Sequence, residues 1–199
     1  MKVGILGTGS VGTSLSTGLA EAGYEVMLGS RDPSQTRLAE WAAQDPVHRS
    51  IGDYELAARF GELVIIAVPG RALGETLDLA GRDAFSGSIV IDVTNPILRT
   101  GEGVVDAYGD DDSGAEFLQR QLPGVPVVKA FNQILAPDML HPERAATKVL
   151  RICGDDEAAK RKVTEVLAGF GWEVRDLGPL SKARALEHGV VDWIRRERS

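Results

Sequence analysis

Gly7-Thr8-Gly9-Ser10-Val11-Gly12 follows the short apolar run Val3 to Leu6 and opens a stretch, Val11 to Ala22, with Leu15 and Leu19 on one helical face. A strand, a glycine-rich turn and a helix in that order fit few folds. The glycine at 7 permits a tight turn, the one at 9 a close backbone approach, and the one at 12 close packing of helix on strand. The helix then begins with unpaired N–H groups and a partial positive charge, which together suit a pyrophosphate. A second strand, Tyr24 to Leu28, follows at the spacing of a βαβ unit. The residues Gly7, Thr8, Gly9, Ser10, Val11 and Gly12 are therefore expected to bind a dinucleotide.

The end of that second strand selects between NAD and NADP. An NAD site carries a carboxylate there, about twenty residues past the glycines, to accept hydrogen bonds from the ribose 2′-hydroxyl. No acid lies between Val26 and Ser30. Ser30 and Arg31 stand there instead, a hydroxyl and a planar fork of donors suited to a 2′-phosphate. Asp32 is expected to cap the following turn with Pro33 and Ser34. Arg37, one helical turn on, is either a second phosphate ligand or part of a solvated helix face. NADP(H) is the expected cofactor.

Strands and helices alternate along the rest of the chain. Helices are expected over 35–43, 53–60, 71–81 and 113–122, the last capped by Ser113. A short edge strand is expected over 47–51. Leu63 to Val68 is nearly all apolar, as a parallel strand buried on both faces should be, and 88–93 and 125–130 are further strands. Thr94 to Asp112 reads as a long Gly- and Asp-rich connection. The fold class is α/β: a doubly wound parallel (Rossmann) sheet. A small C-terminal αβ extension follows, with strands over 148–153 and 173–176 and helices over 155–170 and 182–196. The expected division is a Rossmann domain over 1–135 and a small unit over 136–199 that completes an acceptor cleft.

The 199 residues carry a net charge of −7, which argues against nucleic acid or an anionic membrane as partner. Cys153, the only cysteine, lies in an apolar strand pattern and is expected in the core. A first strand starting at Lys2 leaves no room for a signal peptide, and no apolar run is long enough to span a bilayer. A cytoplasmic protein is expected. Asp110-Asp111-Asp112 reads as a solvated loop, and the acids of 154–157 as the first turn of a helix; no metal site is expected.

Ligands of open α/β sheets lie beyond the carboxyl ends of the strands, where strand order switches. Val68-Pro69-Gly70, Thr94-Asn95-Pro96 and Phe131-Asn132-Gln133 fall there. Val68 and Pro69 are expected beside the ribose or nicotinamide. Asn95 and Asn132 are either ligands through their amides or turn residues bonding their own backbone. None of His48, His141 and His188 follows a core strand. Lys129 is either an acid/base or a charge snorkelling to the cleft edge. So poor a supply of proton donors suits an acceptor that needs only a hydride, such as a flat flavin or deazaflavin ring, with Pro69, Phe131 and Asn132 as cleft candidates. A non-catalytic NADPH-binding module is the alternative from another class.

Beyond the glycine loop and Ser30-Arg31, the chain carries Asp92-Val93-Thr94-Asn95-Pro96, Val128-Lys129-Ala130-Phe131-Asn132 and Asp176-Leu177-Gly178-Pro179-Leu180, then Ala183-Arg184-Ala185-Leu186-Glu187. In these residues it resembles the F420H2:NADP oxidoreductases nearly end to end, and is similar to the reductase domain of the STEAP ferric reductases. The resemblance implies NADPH with its 2′-phosphate on Ser30 and Arg31. It also implies coenzyme F420 near Pro69 and the Phe131-Asn132 loop, and a homodimer. Two places depart from the archaeal pattern: Gly70, where an aromatic follows the proline, and Phe131-Asn132, where a Leu-His pair stands. Lys182 and Arg184 either steer an anionic acceptor tail or serve as caps and surface ion pairs.

Overall fold

The computed structural model describes residues 1–101 and 103–196. Glu102, inside the expected connection, and residues 197–199, the end of the expected C-terminal unit, lie outside the described residues. In chain order the first half runs β1 (Lys2–Leu6), α1 (Ser10–Glu21), β2 (Glu25–Gly29), α2 (Thr36–Ala43), β3 (Arg49–Gly52), α3 (Tyr54–Phe60), β4 (Leu63–Ile66), α4 (Leu73–Ala80) and β5 (Ile89–Asp92). The second half runs β6 (Ile97–Thr100), β7 (Gly103–Asp106), α5 (Gly114–Gln121), β8 (Val127–Lys129), β9 (Val149–Gly154), α6 (Glu157–Gly169), β10 (Glu173–Asp176) and α7 (Ala183–Arg196).

The main sheet has the order β10-β9-β8-β5-β4-β1-β2-β3. Strands β1 to β5 and β8 are parallel neighbours, in register Val3↔Val26 and Val3↔Leu63 around the central β1. Order reverses between β1 and β4, the doubly wound switch point. β9 joins antiparallel to β8 (Lys129↔Cys153) and β10 parallel to β9, so the C-terminal strands extend the same sheet.

Two cores follow from the alternation of strand side chains. In β4, Leu63 and Ile65 face one core with Leu15 and Leu19 of α1, Leu38 and Trp41 of α2, and Val163 and Leu167 of α6. Val64 and Ile66 face the other, with Ala57 of α3, Leu73 and Leu77 of α4, Leu118 of α5 and Leu186 of α7. Both faces are covered, which is why β4 is apolar throughout.

The region 94–112 corrects an expectation. It is not an irregular connection but contains an antiparallel hairpin, β6 with β7, in register Leu98↔Val105. Gly101 and a left-handed Gly103 (φ 132°) turn the chain, and β-branched Val104 and Val105 supply the strand. Ser113 does cap α5, accepting from Glu116 N–H at 3.2 Å. Asp156 caps α6, accepting from Ala159 N–H at 2.7 Å. Asp155 instead accepts from Leu180 N–H at 2.8 Å, tying α6 to the Gly178-Pro179-Leu180 turn. Cys153 is buried.

Candidate functional site

The glycine turn is shaped by what it cannot hold. Gly7 has φ 120°, and a Cβ there would lie 2.3 Å from the Ala67 carbonyl oxygen. A Cβ on Gly12 would lie 1.8 Å from the Gly7 carbonyl oxygen. Both must be glycine for β1, α1 and the β4 end to meet. Gly9 is different: a Cβ there meets no protein atom within 4 Å. The space above it is open, and no side chain caps α1. The first-turn N–H groups therefore face an open cradle, which fits a pyrophosphate on the N-terminus of this helix.

Ser30 and Arg31 follow the end of β2, and Arg37 stands in the first turn of α2. Ser30 is only 3% exposed. Its Oγ donates to the Asp32 carbonyl at 2.9 Å and accepts from Asp32 N–H at 3.1 Å, closing the turn that presents Arg31. Asp32 caps that turn as expected, accepting from Ser34 N–H at 3.1 Å. Arg31 is exposed, its guanidinium 3.6 Å from Glu75. Arg37 reaches back to the glycine turn: its Nη1 donates to the Thr8 carbonyl at 3.2 Å and its Nη2 to Thr8 Oγ1 at 2.9 Å. Neither open reading of Arg37 foresaw that role, since nothing local in sequence brings residues 8 and 37 together.

Beyond β4, β5 and β8 the remaining candidates converge. Val68 is buried against Gly7, Pro69 is exposed, and Gly70 is buried against Asn95 and Pro96. Asn95 and Asn132 are paired with each other rather than with their own backbone. Asn95 Nδ2 donates to the Asn132 carbonyl at 2.8 Å, and Asn132 Nδ2 to Asn95 Oδ1 at 3.1 Å. Asn132 Nδ2 also donates to the Leu186 carbonyl at 2.9 Å. With both amide hydrogens engaged, Asn132 ties the ends of β5 and β8 to α7. Phe131 has φ 60°, the one positive φ at a described non-glycine residue. Such strain gathers at functional sites, and here it sends the ring into the core beneath α1, 3% exposed. Phe131 meets the strand-end crevice through its backbone, not its ring.

Lys129 takes neither expected role. It is fully buried, its Nζ 2.9 Å from Asp92 Oδ2, 2.7 Å from Glu187 Oε1 and 2.6 Å from the Thr94 carbonyl. All three ammonium hydrogens thus have partners. Burial pulls the lysine pKa down, but the two carboxylates reverse this and hold it above the ordinary value. Burial raises Glu187 in turn, with Lys129 opposing. Glu187 also accepts from Gly114 N–H at 2.9 Å, so it caps α5 from α7. Arg184 binds Glu116 through two donors, at 2.8 and 2.7 Å, which makes it a docking pair for α7. The motif Ala183 to Glu187 is thus the seam joining α7 to α5, β5 and β8. His48 pairs with Asp45, His141 with Glu143, and His188 Nε2 with the Gly109 carbonyl.

An open glycine cradle at a topological switch point, flanked by a guanidinium where an NAD site carries an acid, defines an NADP-dependent dinucleotide fold. Comparison with known proteins agrees. The family model "NADP oxidoreductase coenzyme F420-dependent" matches residues 2–96. The F420-dependent NADP reductase of Methanothermobacter marburgensis is 33% identical over 200 residues, covering 94% of this chain and 88% of that one. A crystal structure of a candidate F420-dependent NADP reductase from Arthrobacter sp. FB24 superposes with a TM-score of 0.91 at 34% identity, covering 98% of this chain and 92% of that one. Metalloreductase STEAP3 of Rattus norvegicus is 34% identical over 94% of this chain, which spans only 36% of that relative's length. The chain belongs to the F420-dependent NADP reductase family.

Proposed function

We propose that this protein exchanges a hydride between NADPH and a deazaflavin, coenzyme F420. The observation that carries the reading is the burial of Lys129 between Asp92 and Glu187. It withdraws Lys129 from acid/base work at the strand ends, which supports an acceptor that needs only a hydride and correct placement. The chain's own work is then binding and orientation. The first-turn amides of α1 and Gly9 hold the pyrophosphate, Arg31 holds the 2′-phosphate, and Val68 and Pro69 wall the nicotinamide side. Asn95 and Asn132 hold the crevice edges together. NADPH supplies the hydride.

The 34% identity to a metalloreductase over nearly the whole chain favours a second reading, reduction of a flavin or a ferric chelate. One assay separates the two. Purified protein is mixed with NADPH and, separately, F420, FMN, FAD and ferric chelate, and NADPH absorbance is followed. Bleaching of the deazaflavin band together with NADPH oxidation supports the first reading. Turnover with flavin or iron and none with F420 overturns it. Binding of NADPH without turnover favours the non-catalytic module.

The reading extends to a cytoplasmic homodimer acting on small molecules, without nucleic acid or membrane. Among the described residues no helix is long and apolar enough to cross a membrane, and no His, Cys, Asp or Glu group is placed to hold a metal ion. Light scattering on the eluting protein tests the dimer.

A further inference from the structure

Arg31 and Glu75 face each other across the dinucleotide crevice. Arg31 lies two residues past the end of β2, and Glu75 lies in the first turn of α4, which follows β4. β2 and β4 flank β1 in the sheet, so their ion pair, at 3.6 Å, bridges the carboxyl end of the strand that carries the glycine turn. Burial raises the pKa of Tyr54, the first residue of α3, and the charges of Arg31 and Glu75 act on the same phenol in opposite senses. Among the described residues Glu75 is the only carboxylate within ion-pair distance of Arg31. Arg37, by contrast, is occupied by Thr8.

The pair is built to open. The side chains are 67% and 59% exposed, so it is screened by solvent and worth little by itself. Arg31 is therefore held in place without being consumed. A phosphate arriving at that guanidinium brings more negative charge than a carboxylate and a matching fork of acceptors. It also meets Glu75 as a like charge.

We propose that Glu75 is a specificity-determining residue of the 2′-phosphate site: its carboxylate holds Arg31 across the crevice and competes with the phosphate for that guanidinium. The inference rests on the assignment of Arg31 to the 2′-phosphate. Glu75 thereby sets how far NADPH is preferred over NADH, because only the phosphorylated cofactor contends for Arg31.

The test is a titration of NADPH and of NADH into the full chain and into Glu75→Gln, Arg31→Ala and the double variant, at low and at high ionic strength. Glu75→Gln should tighten NADPH about two- to fivefold at low salt, the range an exposed pair supports. It should leave NADH unchanged. The gain should fade at high salt and vanish in the Arg31→Ala background. Equal tightening of both cofactors, or no change where Arg31→Ala is selective for NADPH, overturns the role of Glu75 alone. Equal loss of NADPH and NADH in Arg31→Ala overturns the phosphate assignment itself, and the role of Glu75 with it. Glu75 lies on an exposed helix face, so the variant should fold, and its thermal midpoint checks that.

Discussion

Lys129 of β8 and Glu187 of α7 meet at 2.7 Å with neither side chain exposed. Glu187 also caps α5, and Lys129 also holds Asp92 and the Thr94 carbonyl. Three separate segments at the carboxyl edge of the sheet, β8, the end of β5 and α7, are joined by one ammonium, and Glu187 adds α5. Removing that ammonium leaves two buried carboxylates facing each other. Breaking a buried pair costs about 3–5 kcal/mol. Lys129→Met should therefore lower the urea midpoint steeply, and adding Glu187→Gln should recover part of the loss by removing one of the two charges. Equal midpoints for Lys129→Met and the wild type would mean the pair contributes nothing.

Gly70 sits where the archaeal pattern has an aromatic, and the structure explains why none fits. A Cβ at Gly70 would lie 2.5 Å from Pro96 Cα and 2.7 Å from the Asn95 carbonyl oxygen. The start of the β6–β7 hairpin occupies that space. Gly70→Ala should cost about 1–3 kcal/mol by overpacking and weaken cofactor binding, because Asn95 must move. Calorimetry and an NADPH titration on the same sample read both effects.

The fold was legible because its signals are local. Periodicity placed nearly all of the strands and helices of the main sheet, and the glycine spacing located the cradle. The hairpin was missed because Gly and Asp obscured Val104 and Val105. The roles of Lys129, Glu187 and Arg37 were not legible, since each depends on a partner far away in sequence: residue 187 for 129, and residue 8 for 37. The asparagine pair was half visible. Both residues were placed at strand ends, but their mutual bonding depends on β5 and β8 being neighbours.

Arg37 and Arg31 should separate by cofactor. Arg37 acts on the glycine turn through Thr8, which both cofactors share. Arg37→Ala should raise the Kd of NADPH and NADH by the same factor, about two- to tenfold for lost hydrogen bonds from a charged group to an exposed loop. A loss confined to NADPH would make Arg37 a phosphate ligand instead.

Cys153 should be silent toward thiol reagents. It is buried, its Sγ 3.8 Å from the Leu180 carbonyl, and burial pushes its pKa to about 12. Only the thiolate reacts, so a maleimide near neutral pH should not label the folded protein and should label it fully in denaturant. Rapid labelling of the native protein would mean the β9–α7 seam opens readily.

The docking of α7 should carry a pH dependence of definite sign. The Arg184 guanidinium holds Glu116 below the ordinary glutamate value of 4.5, with partial burial opposing and Ser113 assisting. A carboxylate whose pKa is lower folded than unfolded binds fewer protons in the native state. Its stabilisation is therefore complete above the unfolded value and is lost as pH falls through the folded one. The wild type should exceed Arg184→Gln in thermal midpoint above pH 4.5, and the gap should close below it. Asp112 titrates in the same range, held low chiefly by Arg120 and in smaller part by Arg184, so its share of the gap has the same sign. A gap that stays constant down through the acid range would mean that Arg184 stabilises α7 by packing and not by its charge.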